Sequence, residues 1–101
     1  MAYLVSLFTK VFAMSEAKLQ AKIIKWLEDN GYYVVKTIVS NKKGVPDILA
    51  CSPTGRFVAI EVKFGANKAS MLQEYNLKRI SQLNGTAILA YSLEAVVSVL
   101  S

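Results

Sequence analysis

Three charged residues stand in stretches of this chain that are otherwise apolar. Asp47 follows a Gly44-Val45-Pro46 turn and opens the run Ile48, Leu49. Glu61 and Lys63 lie two residues apart among Val58, Ile60 and Val62. If both runs are strands, alternation points Glu61 and Lys63 to one face of the sheet. Charge in a buried-type strand is costly unless it is paired or holds a cation. Two carboxylates converging on one point form a hard oxygen site for Mg²⁺, which keeps several waters and accepts phosphate oxygens as further ligands. Such an ion polarises a phosphate and lowers the pKa of a bound water. A lysine alongside can orient that water, help deprotonate it, or stabilise developing negative charge. The simpler alternative is an edge hairpin carrying all three charges on its wet face.

Helices on either side supply two more groups. Ser15 reads as an N-cap, with Glu16 complementing the dipole in the first turn and Gly31 ending the helix. At 100° per residue Glu16, Leu19, Gln20, Ile23, Trp26 and Leu27 share one stripe, and Lys18, Lys22 and Lys25 the opposite one. Glu16 therefore points inward, although a surface glutamate at a helix start is the simpler reading. Ser70 caps a second helix ending at Asn84-Gly85, and its inward stripe holds Ala69, Leu72, Gln73, Asn76, Ile80 and Leu83. Gln73 is either a buried amide bonded to backbone or a fifth member of the cluster.

The elements that position these groups are predicted as strands Tyr32 to Ser40, Val45 to Cys51, Arg56 to Phe64 and Thr86 to Tyr91. A last helix, Leu93 to Leu100, is capped by Ser92. Short turns make the first three strands antiparallel neighbours. The order αβββαβα implies an α/β fold with a central four-stranded mixed sheet flanked by helices.

Composition narrows the chemistry. The 101 residues suit one domain, with twelve Lys and Arg against seven Asp and Glu, for a net charge of +5. This balance favours a polyanionic partner, though an ordinary basic domain carries the same charge. The absence of histidine removes Ser-His-Asp chemistry and Cys/His zinc sites. The lone Cys51 excludes an internal disulfide and reads as strand packing. Hydrolysis, if any, must run on carboxylates, lysine and hard metal ions. The apolar Met1 to Ala13 is too short to span a membrane and has no basic leader, so a cytoplasmic location is expected. It reads as an added helix or strand, a dimerisation arm, or an extension upstream of Met14.

Taken in order, Gly44-Val45-Pro46-Asp47, Glu61-Val62-Lys63 and Ser70-Met71-Leu72-Gln73, with Ser15-Glu16 and Gln20 upstream, resemble the VRR-NUC (virus-type replication-repair nuclease) branch of the PD-(D/E)xK nucleases. The resemblance covers residues 14 to 100 and leaves 1 to 13 as an extension. It implies a restriction-endonuclease-like αβββαβ core and Mg²⁺-dependent phosphodiester hydrolysis, with Mn²⁺ able to substitute. It also implies branched DNA, such as four-way junctions, as substrate. Asp47, Glu61 and the Val62 backbone carbonyl would be metal ligands, Lys63 the catalytic lysine, and Glu16 an outer or second-metal ligand. Gln73 would orient Lys63 or the attacking water.

Phosphate contacts are expected from Lys42, Lys43, Lys68 and Lys78, and the basic face Lys18, Lys22, Lys25 is either solvated or a further contact. Symmetric cutting of a junction needs two sites, which a homodimer supplies. Phe8, Val11, Phe12, Val96, Val97, Val99 and Leu100 are interface candidates that serve equally as core. Two other readings stand beside the endonuclease: a non-catalytic DNA-binding module, and a subunit of a larger replication or repair complex.

Overall fold

The computed structural model describes the backbone of residues 2–101 and the side chains of residues 16–101. Helix α1 spans Ala2–Asp29. Ser15 therefore lies inside the helix instead of capping it, because the apolar segment before it is itself helical. The interface candidates Phe8, Val11 and Phe12 lie outside the described side chains. At its far end α1 closes as the sequence predicts. Gly31 adopts φ +83°, Gly31 N–H donates to Glu28 O at 3.1 Å and Tyr32 N–H to Leu27 O at 3.0 Å, the bonding pattern of a Schellman stop.

The strands are β1 (Tyr33–Lys36), β2 (Ile48–Cys51), β3 (Phe57–Val62) and β4 (Thr86–Ala90). They lie in the order β1-β2-β3-β4. The first two pairings are antiparallel, and β4 runs parallel to β3. Helix α2 (Met71–Gln82) makes the crossover between β3 and β4, and α3 (Leu93–Leu100) follows with the predicted Ser92 cap. Both β2 and β3 are interior strands, which removes the edge-hairpin alternative.

Two strands are shorter than their composition suggests. The β-branched run past Lys36 leaves the sheet, and Ile38 and Val39 are 85% and 92% exposed. β-Propensity needs a neighbour to pack against, and among the described residues none covers these two side chains. The second strand likewise starts at Ile48, so Asp47 sits at its mouth.

The core lies on one face of the sheet. Ile48, Ala50, Val58, Ile60, Val62, Ile88 and Ala90 pack against Ile23 and Leu27 of α1 and Val96 of α3. Val96 is thus core and not interface, whereas Val99 is exposed. The opposite face carries Leu49, Ala59, Glu61 and Lys63 by alternation and is covered in part by α2. Cys51 belongs to that face at the end of β2 and is exposed, not packed. On α2 the inward residues are Gln73, Asn76, Leu77 and Ile80. Leu72 and Leu83 turn outward, because α2 shields only the β3–β4 half of the sheet.

Candidate active site

The Gly44–Asp47 turn is built by three contacts. Thr37 N–H donates to Asp47 O at 2.9 Å, and its Oγ1 donates to Pro46 O at 2.8 Å. Asn76 Nδ2, buried on α2, donates to Lys43 O at 2.9 Å. Gly44 has φ +71°, and a Cβ there would lie 2.8 Å from Leu72 Cγ. Only glycine allows this conformation and this approach to α2. The turn is thus held by β1 on one side and α2 on the other.

So held, Asp47 reaches across the sheet: its Oδ2 accepts the Val62 N–H at 2.8 Å. The carboxylate replaces a backbone partner where β2 has ended. Within a strand, N–H and C=O of one residue point to the same side. The Val62 carbonyl is therefore directed toward Asp47.

Glu61 is 1% exposed. Its Oε2 accepts from Gln73 Nε2 at 3.2 Å and lies 3.5 Å from Lys63 Nζ. Among the described residues its Oε1 is buried with no hydrogen-bond partner. Burial pushes the Glu61 carboxyl up to about 7, and repulsion from the neighbouring Asp47 adds to the shift, with Lys63 opposing both. A buried anion with one oxygen unsatisfied, beside a second carboxylate, is destabilised as it stands. A small divalent cation between Asp47 and Glu61 would relieve both defects, and Mg²⁺ sites commonly use one or two carboxylates. The donor set fits such an ion.

Gln73 arrives from the first turn of α2. Its side chain also closes a capping box with Ser70: Ser70 N–H donates to Gln73 Oε1 at 2.8 Å and Gln73 N–H to Ser70 Oγ at 3.1 Å.

The fold thus gathers Asp47, Glu61, Lys63 and Gln73, with Val62 between them. Glu16 is not gathered. Helix α1 packs on the face opposite Glu61, and among the described residues no three acidic, Cys or His side chains could hold a metal together. The inward stripe of a helix points at whichever face the helix covers, and spacing along the chain does not say which. Lys42 and Lys43 are exposed on the turn, Lys68 on the loop after β3, and Lys78 on α2. Two positioning residues have no motif of their own: Thr37, hidden in a β-branched run, and Asn76, whose only signal is a polar side chain on a buried stripe.

No family model matches the sequence, and no curated protein matches it significantly. A solved structure described as a VRR_NUC domain superimposes with a TM-score of 0.74, over 84% of this chain and 92% of its own, at 23% identity. Among the described residues no helix is long and apolar enough to cross a membrane. The architecture inferred from the strand and helix order is thus found in a solved protein, and the chain has the fold of that VRR_NUC domain.

Proposed function

We propose that the protein is a metal-dependent endonuclease acting on branched DNA, with Mg²⁺ or Mn²⁺ held by Asp47, Glu61 and the Val62 carbonyl. The observation that carries this reading is the buried, unpartnered Oε1 of Glu61 beside Asp47, within reach of Lys63. A structural ion pair would leave no oxygen orphaned. When bound, the divalent ion would supply positive charge for a phosphate and a water of lowered pKa.

The chain's own residues divide the remaining work. Gln73 fixes the Glu61 rotamer by its 3.2 Å bond. Lys63, with a side chain 15% exposed, is the positive charge at the mouth of the site. There it orients the attacking water or stabilises charge on the phosphate. Lys42, Lys43, Lys68 and Lys78 hold the flanking phosphates, which makes binding salt-sensitive and largely blind to sequence. Four-way junctions are the substrate the motif resemblance suggests, and cutting both strands of one calls for a two-fold dimer. Exposed Tyr33, Val35, Phe57 and Leu83 leave apolar surface outside the core for such assembly.

Labelled duplex, flap, nicked and four-way DNAs, incubated with and without Mg²⁺ or Mn²⁺, test the reading. Cleavage by the wild type, lost in Asp47→Ala and Lys63→Ala while both still fold and bind DNA, is the expected result. Equal cleavage by both variants, or DNA binding with no metal-dependent scission, overturns it. The latter leaves a binding module on a nuclease-type fold.

A further inference from the structure

The basic face of α1 is not uniform. Lys25 Nζ lies 2.8 Å from Asp29 and is neutralised by it. Among the described residues Lys18 and Lys22 form no ion pair; they stand one helical turn apart and line a cleft of about 320 Å³. The opposite wall is Phe64 and Tyr91, each just past the end of a strand in the parallel pair β3 and β4. Ligands of open α/β sheets bind outside the carboxyl ends of such strands. Phe64 follows Lys63 but by alternation turns to the α1 face, so the cleft opens at the same end of β3 as the candidate active site, on the other face of the sheet. Tyr91 is 41% exposed, and its hydroxyl donates to Asn67 O at 2.7 Å, which ties the loop after Lys63 to β4. Glu94 stands at the cleft in the first turn of α3, where it complements the helix dipole. Two lysines against one glutamate leave the cleft with one net positive charge.

We infer that this cleft binds one unpaired nucleotide of the DNA strand, its phosphate between Lys18 and Lys22 and its base against Tyr91 and Phe64. A base inside a duplex presents only its edges, whereas an extruded or single-stranded base offers a face for stacking. The cleft thus gives the endonuclease reading, on which it rests, a physical basis for preferring branched DNA: junctions and flaps supply unpaired nucleotides that a paired duplex lacks.

Binding of the full chain to a single-stranded oligonucleotide, a flap and a fully paired duplex, in EDTA to prevent cleavage, tests the inference. Lys18→Ala with Lys22→Ala should flatten the slope of log affinity against log salt by about 0.7 for the single strand, the value for one phosphate neutralised. Tyr91→Leu should weaken single-strand and flap binding on the order of tenfold, the scale of one lost base stack, and leave the duplex unchanged. Tyr91→Phe keeps the ring and loses only the bond to Asn67, so it should bind as wild type. If the double lysine variant and Tyr91→Leu both match wild type on the single strand while wild type binds DNA well, the cleft assignment alone falls. Loss of binding in Tyr91→Phe equal to that in Tyr91→Leu makes Tyr91 a loop anchor and also overturns it. A wild type that binds none of the three DNAs removes the nuclease reading together with the cleft.

Discussion

One amide joins Gln73 to Glu61 and to the start of its own helix: Oε1 accepts from Ser70 N–H at 2.8 Å while Nε2 donates to Glu61 Oε2 at 3.2 Å. The two functions are separable by chemistry. Gln73→Glu keeps an acceptor for the capping box, since Ser-x-x-Glu caps as well as Ser-x-x-Gln, but sets a carboxylate against Glu61. Gln73→Ala loses both bonds. Cleavage should fall about tenfold to a hundredfold in either variant, the scale of one hydrogen bond to a charged group. Thermal melting should drop more for Gln73→Ala in the helix-sensitive far-UV signal. Full activity in Gln73→Glu would show that the amide only caps.

Glu61 makes stability depend on pH. Its folded-state pKa is raised from 4.5 to about 7, so between these values the folded protein holds a proton that the unfolded chain has released. The contribution of Glu61 to metal-free stability is then fully present below about pH 4.5 and is lost as pH rises through 7. The total loss is on the order of 3 kcal/mol at 1.36 kcal/mol per pKa unit. Glu61→Gln has no such proton to lose and should melt higher than wild type at pH 8 in EDTA, while cleaving nothing. Mg²⁺ added at pH 8 should raise the melting temperature of wild type only. Parallel pH profiles for the two proteins would remove Glu61 as the source.

How much of this was legible in the chain depends on the range of the interaction. Strand order, the Gly31 stop, the Ser70 and Ser92 caps and the shared face of Glu61 and Lys63 follow from local spacing, and all are present. Glu16 lies on a helix that packs on the face opposite Glu61, which periodicity does not disclose: it gives a stripe but not the face of the sheet the stripe meets. The start of α1 was missed because a Ser-Glu pair looks like a cap unless the preceding residues are known to be helical. Thr37 and Asn76 are silent in sequence, since each bonds a backbone carbonyl distant along the chain. Cys51 was expected to be packed because strands of this composition usually are, yet α2 leaves that part of the sheet uncovered.

Gly44 is where the site turn meets α2. Gly44→Ala faces both a left-handed φ of +71° and a contact of 2.8 Å to Leu72 Cγ. The conformational strain alone is of order 1–3 kcal/mol. Denaturant unfolding should show a loss of at least that size, and cleavage should fall as Asp47 is displaced. Leu72→Ala added to Gly44→Ala removes the shortest contact but leaves Asn76 Nδ2 at 3.0 Å and the strain, so it should restore only part of the stability. An unchanged unfolding midpoint in Gly44→Ala would contradict the geometry of the turn.

Thr37 helps set the position of Asp47 through two backbone carbonyls, those of Asp47 and Pro46. Thr37→Val is nearly isosteric and keeps the backbone bond to Asp47 O, but it leaves Pro46 O without its hydroxyl donor. A partly buried carbonyl deprived of its partner costs about 1–3 kcal/mol. The effect on cleavage should exceed the effect on folding, because a ~1 Å shift of a reacting group can cost ~100-fold in rate. Thr37→Ser retains the hydroxyl and should cleave nearly as wild type. Comparing cleavage rates of Thr37→Val and Thr37→Ser at saturating Mg²⁺, alongside their unfolding midpoints, separates positioning from stability. If Thr37→Val loses stability yet cleaves at the wild-type rate, Asp47 is held by the strand alone and the hydroxyl is a packing detail.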